Sequence, residues 1–389
     1  MLASRRDRLI GGATSALARA FPHDSGGRLD PPPRRILILK PCCLGDLLMA
    51  TPTLRALSFA YPDATLSLAV GPAARAAVVG NPHLAALVDT GAVGSGPASR
   101  RAYVDVTRRL RVGGYDLALS LDRSPVLGAL PWLAGIPRRV GLDSGGRGFA
   151  HQVRVPAPPA APRHEAEVYL DTLRALGIEP CEPRLEFFPS REDEAAVEAL
   201  GLPADAPLVI VHPAGGVNPG MTLLSKRWPA ARFAALADRL VAERGARILL
   251  VGGPGDRAVS AAVVEAMRHA CLDLTGRLSF GTLGALAHQA ALYVGNDTGA
   301  THLAVAVGAP TLMIMGPTDP RRYGPYRPTA PDSVAAVSPP DARPEDYLAL
   351  RQAGGGTPRT AIDGVSIEQV AVAAARLLEG GSESRPLRT

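Results

Sequence analysis

Short, continuously apolar runs alternate along this chain with alanine-rich stretches of helical length. An apolar run without polar alternation indicates a strand that is buried on both faces of its sheet. Strands that alternate with helices pair in parallel and are joined by right-handed crossovers. The sequence therefore predicts an α/β fold built from doubly wound parallel sheets. The predicted strands cover residues 36–39, 65–70, 117–121, 208–213, 247–253, 292–296 and 311–317.

The alternation pauses once, over the proline-rich residues 156–207, and resumes with a strand at Leu208. A chain of 389 residues holds about two domains. We therefore predict two Rossmann-like domains of similar size that face each other across a cleft, the usual ligand position for such sheets. The predicted parts are a basic appendage at 1–33, a first domain at 34–195, a second domain at 196–362, and a C-terminal helix with a tail at 363–389.

Composition excludes several classes of protein. Apolar residues make up 47% of the chain, enough for a large core, which excludes wholesale disorder. The four cysteines show no CxxC spacing, so neither a disulfide framework nor a cysteine-based zinc site is expected, and a reducing compartment is favoured. No run reaches about 18 apolar residues and no compact apolar segment follows the N-terminus, so we expect neither a membrane-spanning helix nor a signal peptide.

The net charge of +6 is concentrated near the N-terminus, where residues 1–35 hold seven arginines and three aspartates. Nucleic-acid-binding surfaces usually interleave basic and aromatic residues. Aromatic residues are only 4% of this chain, so no nucleic-acid partner is expected. Two interpretations of the basic segment stay open: an edge that touches an anionic membrane surface, and a solvated tail.

The first segment that carries chemistry follows the first predicted strand. Lys40 ends this strand and Asp46 begins the next helix, which places both at the carboxyl edge of the sheet. Lys40 is one of only two lysines among 42 basic residues, and its compact ammonium suits a phosphate, so Lys40 and Gly45 are candidate ligand-binding residues. Asp46 is either a helix N-cap or a general base whose charge the helix dipole stabilises. Cys42 and Cys43 are predicted to be small loop residues rather than nucleophiles.

The second segment is the glycine-rich loop that follows the strand at 208–213. Backbone N–H groups at Gly215 and Gly216 and the Ser225 hydroxyl lie near Lys226, the other lysine, and such a set of donors suits an anion. The structural alternative is an ordinary basic helix start.

The third segment, residues 253–258, satisfies the pattern GxGxxA between a strand and a helix. Asp256 in this loop is a candidate contact for a ribose, and an ordinary strand–helix turn fits the pattern equally well. The pattern is also the sole support for a nicotinamide-dependent dehydrogenase.

The fourth and most specific segment follows the strand at 292–296. Asp297, Thr298 and Gly299 precede an apolar helix whose free N–H groups and dipole suit a diphosphate. Gly299 lets a ligand approach the backbone. His302 lies one turn into the helix on the side of Asp297, so it is a candidate ligand contact as well as a packing residue.

Taken in order, these segments resemble glycosyltransferase family 9, the lipopolysaccharide heptosyltransferase family, from about residue 34 to residue 380. The family's Lys-x-x-x-Leu-Gly-Asp motif and the Thr-Pro that follows it are matched by Lys40, Leu44, Gly45, Asp46, Thr51 and Pro52. Its Lys-x-Trp-Pro loop is matched by Lys226, Trp228 and Pro229. Its Asp-Thr-Gly-x-x-His helix start is matched by Asp297, Thr298, Gly299 and His302, and its Gly-Pro-Thr-Asp-Pro by residues 316–320. The chain departs from the family at Cys42 and Cys43, where Ser or Thr is common, at the longer loop 214–225, and at Asp256, where Glu is frequent.

The resemblance implies a GT-B fold, with the acceptor side in the first domain, the nucleotide-sugar donor in the second, and a C-terminal helix that packs back on the first domain. It implies inverting transfer of a sugar, most typically a heptose from ADP-heptose, to a lipopolysaccharide-core or other glycan hydroxyl. Asp46 is the implied base, Lys226 the implied ligand of the donor phosphate, and residues 297–302 the implied donor site. No DxD motif occurs, so neither a metal nor a cofactor is expected. The expected location is the cytoplasm, with peripheral contact to the inner face of the membrane.

Two other functions stay open at this point. An NDP-sugar epimerase of related fold would turn over its donor without any acceptor. A non-catalytic nucleotide-sugar-binding protein would bind the donor without transferring its sugar.

Overall fold

The computed structural model describes residues 5–158, 162–203, 205–218, 221–327, 330–339 and 362–383. Within these residues the chain divides into two units. The first comprises the described residues up to Ala76 together with Asn81–Pro183, and the second comprises Ala77–Gly80 together with the described residues from Arg184 onward.

The first unit is an α/β layer structure around a parallel sheet. Its strands are β1 (Arg35–Leu39), β2 (Thr65–Val70), β3 (Ala86–Asp89), β4 (Leu117–Ser120), β5 (Arg138–Asp143) and β6 (Val153–Pro156). Its helices are α1 (Arg5–Ala20), α2 (Leu44–Ala60), α3 (Arg100–Val112), α4 (Pro125–Leu133) and α5 (Glu165–Arg174). The six strands are all parallel, in the order β3-β2-β1-β4-β5-β6. Helices α3 and α4 cover one face, where Val106, Leu110 and Leu127 pack on Leu37 and Leu39.

The second unit repeats this plan. Its sheet strands are β7 (Leu208–His212), β10 (Arg247–Leu250), β11 (Leu272–Asp273), β12 (Leu292–Asn296), β13 (Thr311–Ile314) and β14 (Val334–Val337), and a small antiparallel pair is formed by β8 (Val217–Asn218) and β9 (Met221–Thr222). Its helices are α6 (Arg191–Glu198), α7 (Ala230–Arg244), α8 (Arg257–Ala266), α9 (Phe280–Gln289), α10 (Gly299–Ala306), α11 (Pro320–Tyr323) and α12 (Ile367–Glu383). The sheet is parallel, in the order β11-β10-β7-β12-β13-β14.

Both sheets therefore have the same strand order, 3-2-1-4-5-6 within each unit, which is the order of a Rossmann sheet. The prediction of two doubly wound parallel sheets is confirmed. In such a sheet the strand order reverses between the first and fourth strands, and a crevice opens at their carboxyl ends. That point lies between β1 and β4 in the first unit and between β7 and β12 in the second.

The two units divide earlier in the chain than the predicted position at 195. Helix α6 packs against α9 of the second unit. The Asp193 carboxylate accepts hydrogen bonds from the Ser279 and Thr282 hydroxyls, each at 3.0 Å. These contacts join residues 191–198 to the second unit, whereas the sequence shows only an isolated amphipathic helix there.

The N-terminal segment is joined to the first unit. The Arg154 guanidinium donates to the carbonyl oxygens of Ala18 and Phe21, at 2.8 and 3.1 Å, at the C-terminal end of α1. The Phe21 ring meets Trp132 and Phe149 edge to face, with centroids 5.2 and 5.3 Å apart. A cation near the last carbonyls of a helix is favourable, so Arg154 both caps α1 and fixes its position. The predicted appendage is thus attached over its described part.

The C-terminal helix α12 packs in the second unit, against α7, β13 and β14. Val370, Ala374 and Leu377 lie one turn apart and are buried in the core of that unit. The segment before the helix is also held there, because the Trp228 indole N–H donates to the Val365 carbonyl at 2.9 Å. The expectation that this helix packs on the first domain is therefore wrong for its described residues. The tail from 384 lies outside the described residues, as do residues 340–361 of the predicted second domain.

The packing of α12 can be tested by removing one buried side chain. We expect Leu377→Ala to lower the free energy of unfolding by about 2–5 kcal/mol, because it leaves a cavity in the core of the second unit. Val372→Ala, on the exposed face of the same helix, is the matched control and should change that free energy by less than about 1 kcal/mol. Denaturant unfolding of both variants measures the difference, and equal effects would contradict this packing.

Candidate active site

Lys40 and Asp46 meet at the carboxyl edge of the first sheet. Lys40 follows β1 directly, and Asp46 lies in the first turn of α2. The Lys40 Nζ atom is 3.0 Å from Asp46 Oδ2 and 3.6 Å from an oxygen of Asp122, which follows β4. Because β1 and β4 are neighbouring parallel strands, their carboxyl ends bring all three side chains to the crevice of this unit. The sequence predicted two members of this group and missed Asp122.

The Lys40 ammonium is buried and charged. Its side chain is 6% exposed and lies 5.5 Å from the centre of the Tyr169 ring. Burial opposes the charge, but Asp46 and the other acidic neighbours raise the pKa of Lys40 well above its usual range. Burial and the charge of Asp46 also raise the pKa of Tyr169, which keeps the phenol neutral. Lys40 is thus a permanent cation that holds carboxylates in this structure.

The helix start that carries Asp46 is unusual. The N-cap position belongs to Cys43, which has a positive φ of 77° and makes no side-chain capping bond. The sulfur atoms of Cys42 and Cys43 are joined as a disulfide. The alternative in which Asp46 serves as N-cap is therefore wrong. Asp46 lies in the first helical turn, next to Gly45, where the helix dipole favours its negative charge.

A buried ion pair holds the segment that contains Asp122. The guanidinium of Arg123 binds both carboxylate oxygens of Glu165, whose side chain is 3% exposed. The same guanidinium donates to the carbonyl of Ala157 at 3.2 Å, and the Ser124 N–H donates to Asp122 at 2.8 Å. These bonds hold the two residues that follow Asp122, so the second carboxylate beside Lys40 has a defined position.

The second lysine, Lys226, forms the corresponding pair in the second unit. Its Nζ atom is 2.7 Å from Asp297 Oδ2, and both side chains are nearly buried. The Thr318 hydroxyl donates to the same oxygen at 2.6 Å, and His302 Nε2 lies 3.7 Å from Asp297 Oδ1. Burial disfavours the carboxylate, but Lys226 and then His302 outweigh it and hold the pKa of Asp297 far below its usual range. The two predicted motifs that contain Lys226 and Asp297 are therefore in direct contact.

Asn296 joins the loops that carry Lys226 and Asp297. Its side-chain oxygen accepts the Trp228 N–H at 3.0 Å, and its side-chain NH₂ donates to the carbonyls of Pro213 and Ala214 at 2.9 and 3.0 Å. Asn296 ends β12, Pro213 follows β7, and Trp228 precedes α7. One buried amide thus ties three segments together at the switch point of the second sheet. No sequence pattern predicts this role, and Asn296 is notable in the sequence only for its place before Asp297.

Gly215 and Gly216 allow the loop after β7 to approach Thr298. Both have positive φ, 119° and 74°. A Cβ atom on Gly215 would lie 2.0 Å from the methyl group of Thr298, and one on Gly216 would lie 2.2 Å from the Leu223 carbonyl oxygen. No side chain fits at either position. The structure therefore places the predicted loop directly against the predicted helix start.

Several polar groups around this helix start lack a partner. Thr298 is the N-cap of α10. The N–H groups of Gly299 and Ala300 come before the first bonds of the helix, in which the Thr301 and His302 N–H groups donate to the Thr298 carbonyl at 3.1 Å. Among the described residues, the buried Ser225 Oγ and His302 Nδ1 atoms have no hydrogen-bond partner. An unpartnered buried polar atom costs about 1–3 kcal/mol, so this set of groups fits a polar ligand.

Asp256 and His212 lie beside the residues that surround Lys226 and Asp297. Asp256 accepts the Gly253 N–H at 2.9 Å and lies 3.7 Å from the Arg227 guanidinium, which in turn donates to the Gly215 carbonyl. Burial lowers the pKa of His212 to about 4, so the ring is neutral at pH 7, and its Nδ1 atom is 3.5 Å from the Thr298 hydroxyl. The sequence missed His212 and Arg227 as site residues. Asp256 contacts the loop that carries Lys226, which is compatible with its predicted place beside the ligand.

The described residues lack both a metal-binding cluster and a membrane-spanning helix. They contain no group of three or more His, Cys, Asp or Glu side chains arranged to hold a metal ion. They also contain no helix that is both long enough and apolar enough to cross a membrane.

The buried pair in the second unit predicts a pH-dependent stability. Lys226→Met leaves the Asp297 carboxylate buried without its main cation, which should cost about 3–5 kcal/mol at pH 7. The folded-state pKa of Asp297 is lowered, so its contribution is present above the unfolded pKa of about 3.9 and is lost as the pH falls through the folded pKa. We therefore expect the stability difference between parent and variant to be largest at neutral pH and to shrink below pH 4.

Denaturant unfolding at pH 7 and pH 3 measures this dependence. Arg376→Met, which removes an exposed cation from α12, is the matched control and should show a small effect at both pH values. A Lys226→Met penalty that does not change with pH would contradict the ion-pair explanation.

Comparison with known proteins places this architecture in a family. Residues 103–342 match the family described as glycosyltransferase family 9 (heptosyltransferase). Lipopolysaccharide heptosyltransferase 2 of Escherichia coli (strain K12) is 26% identical over 299 residues, which cover 74% of this chain and 84% of that protein. Lipopolysaccharide heptosyltransferase 3 of the same strain is 26% identical over 292 residues, which cover 71% of this chain and 80% of that protein.

Two solved structures share the fold. The glycosyl transferase family 9 protein from Veillonella parvula DSM 2008 superposes with a TM-score of 0.78 at 24% identity, covering 91% of this chain and 99% of that one. The E. coli ADP-heptose lps heptosyltransferase II superposes with a TM-score of 0.70 at 20% identity, covering 90% of this chain and 99% of that one. With its two Rossmann sheets and its ordered motifs, this chain has the GT-B fold and belongs to glycosyltransferase family 9.

Proposed function

We propose that this glycosyltransferase moves a heptose from ADP-heptose to a hydroxyl group of a lipopolysaccharide-core or other glycan acceptor, with inversion at the anomeric carbon. The similar proteins described above are lipopolysaccharide heptosyltransferases, and one is described as an ADP-heptose enzyme, which supports this donor and acceptor. Within this chain, support comes from the chemistry of the two lysine–aspartate groups.

The observation that carries the proposal is the position and exposure of Asp46. Lys40 holds one of its oxygens at 3.0 Å, yet a third of the Asp46 side chain is exposed, at 33%. The exposed part of the side chain is open to the hydroxyl group of an acceptor. A carboxylate that is held in place and accessible is what a general base for a sugar hydroxyl requires.

In the proposed reaction, Asp46 takes the proton of the acceptor hydroxyl while the hydroxyl oxygen attacks the anomeric carbon of the heptose. The bond between that carbon and the diphosphate oxygen breaks on the opposite face, and ADP leaves with the bonding electrons. Lys40 and Asp122 act as positioning residues, because they orient the base without contacting the reacting atoms.

The donor diphosphate is assigned to the second unit. Lys226 and the N–H groups at Thr298 and Gly299 provide positive charge where the departing ADP gains negative charge. Ser225 Oγ and His302 Nδ1, which lack partners in the described chain, would gain them from donor oxygens. Gly215 lets the loop after β7 lie against Thr298, and Gly216 lets it pass the Leu223 carbonyl. Asp256 is proposed to contact the ribose.

We propose that this charge distribution works without a metal ion or a cofactor. In many nucleotide-sugar enzymes a divalent cation held by a DxD motif neutralises the diphosphate, but this sequence has no such motif. Here the Lys226 ammonium and the dipole of α10 would supply the neutralising charge.

We further propose that the enzyme acts in the cytoplasm, peripherally at the inner face of the membrane, where a glycolipid acceptor is presented. Seven arginines against three aspartates in residues 1–35 support attraction to anionic lipid. The low aromatic content supports the absence of a nucleic-acid partner.

Asp46→Asn tests the proposed base. The amide keeps the shape of the side chain but cannot accept the proton, so the transfer rate to a purified glycan acceptor should fall by about 10²–10⁴-fold. Asp63→Asn, an exposed aspartate in the same unit, is the matched control and should retain the parent rate. The assay runs in excess EDTA, which should not slow the parent enzyme.

The same assay separates the rival functions. Near-parent transfer by Asp46→Asn would refute the base assignment. Conversion of the donor in the absence of acceptor would favour an epimerase, and donor binding with no transfer to any acceptor would favour a binding protein.

A thermal-shift screen over ADP-, UDP-, GDP- and dTDP-sugars tests the donor. A ligand at 100 times its dissociation constant stabilises its protein by about 2.7 kcal/mol, so ADP-heptose should give the largest rise in Tm. Lys226→Met should abolish most of that rise, whereas Arg268→Met, an exposed arginine in the same unit, should keep it. A larger rise with a UDP-sugar would reassign the donor and leave the reaction type intact.

A further inference from the structure

The net positive charge of this protein belongs to its first unit. The first unit contains 22 basic and 15 acidic residues, whereas the second contains 20 basic and 21 acidic residues. The whole excess of positive charge therefore belongs to one unit. Part of it lies in the N-terminal segment, and another part lies on helix α3, which has five arginines and one aspartate.

The exposed side of α3 is a stripe of basic and apolar side chains. Its members share one face of the helix, because the first four are spaced three or four residues apart and the last adjoins the fourth. They are Arg101, Val104, Arg108, Arg111 and Val112. Their side chains are exposed, at 92% for Arg101, 73% for Arg108 and 87% for Val112. The opposite side of α3, with Val106 and Leu110, packs into the core.

This stripe continues onto α4. The Arg111 guanidinium donates to the Leu133 carbonyl at 2.7 Å, which places the end of α3 beside the end of α4. Trp132 and Leu133 are 43% and 47% exposed there. The Trp132 ring also contacts Phe21, at the end of α1. We call the surface formed by Arg101, Val104, Arg108, Arg111, Val112, Trp132 and Leu133 the α3–α4 face.

We infer that the α3–α4 face is the surface by which this protein binds an anionic lipid bilayer. This inference deepens the proposed membrane association and rests on it, but it names residues outside the N-terminal segment. Guanidinium groups suit the phosphates of anionic headgroups, and an exposed tryptophan with neighbouring aliphatic side chains suits the boundary between headgroups and acyl chains. The charge of the face is complementary to that of an anionic bilayer.

The acidic groups around the face do not cancel its charge. Asp105 is the acidic residue of α3 and lies 3.9 Å from the Arg101 guanidinium and 3.6 Å from that of Arg108. Exposed pairs at these distances contribute little, so both arginines stay available to headgroups. A nucleic-acid surface would instead need several stacking aromatics, and the face offers Trp132 alone.

Vesicle co-sedimentation of the full chain tests the inference. Vesicles of phosphatidylglycerol and phosphatidylethanolamine should bind the parent protein, and vesicles of phosphatidylcholine should not. The double variant Arg101→Gln and Arg108→Gln should weaken the partition coefficient by about 30-fold, because each basic residue near the surface contributes about a factor of five. Val112→Ser should weaken it by about tenfold, because one exposed aliphatic side chain no longer enters the interface.

Matched variants of the second unit show whether vesicle binding depends on the α3–α4 face or only on the net charge of the protein. Arg191→Gln with Arg376→Gln removes the same charge, and Val372→Ser removes the same kind of exposed side chain. Both should bind vesicles like the parent. Equal losses in the two double variants would overturn the inference, as would parent-level binding by Arg101→Gln with Arg108→Gln. A third outcome would also overturn the inference. If binding is lost only in the triple variant Arg5→Gln, Arg6→Gln and Arg8→Gln, the membrane contact belongs to the N-terminus.

Tryptophan fluorescence gives an independent readout. The chain has two tryptophans, and Trp228 is buried at 1% exposure. Anionic vesicles should shift the emission of the parent to shorter wavelength, and this shift should disappear in Trp132→Phe, which keeps a ring beside Phe21. An unchanged shift in Trp132→Phe would place the contact elsewhere. Transfer to a soluble acceptor fragment should stay at the parent rate in Arg101→Gln with Arg108→Gln, so failure of this inference is distinct from failure of the proposed reaction.

Discussion

The ion pair between a buried lysine and an aspartate at the carboxyl edge of a parallel sheet occurs once in each unit. Lys40 meets Asp46 beside β1, and Lys226 meets Asp297 beside β12. A buried pair seldom adds much net stability, because desolvation of both charges offsets their attraction. Its value here is positional: each cation fixes the place of a carboxylate at the switch point of its sheet. Both of the chain's lysines are used in this way.

Strand order explains why these pairs arise where they do. In each sheet the crossovers leave in opposite directions from the first and fourth strands, so the loops at their carboxyl ends separate and leave room for side chains. Lys40 and Asp122 come from the two sides of that opening in the first sheet, and Pro213 and Asn296 come from the two sides in the second. The site geometry is therefore a consequence of topology, with the motif residues added at a position that the fold keeps open.

The sequence predicted the central strands and most of the motif residues for this reason. Central strands are buried on both faces and most appear as continuous apolar runs, whereas the edge strands β3 and β11 span only four and two residues, are partly or fully exposed, and were not predicted. Asp122, Asn296 and His212 were missed because their importance depends on neighbours distant in sequence. Helix α12 was placed in the wrong unit because an amphipathic pattern shows that a face is buried but not which surface covers it. The roles of the site residues stay predictions.

The two units differ in net charge, and this difference separates two kinds of electrostatic interaction: short-range binding of one anion and longer-range attraction to a charged surface. The second unit has almost no net charge, yet it contains the proposed diphosphate site, so that anion would be bound by one ammonium and one helix dipole at short range. Such contacts act within a few ångströms and are little affected by salt when they are buried. The first unit carries the net positive charge on exposed arginines, whose attraction extends over a Debye length of about 8 Å. A surface of that kind selects for a large anionic partner rather than for one bound group, and its effect should weaken with salt while donor binding does not.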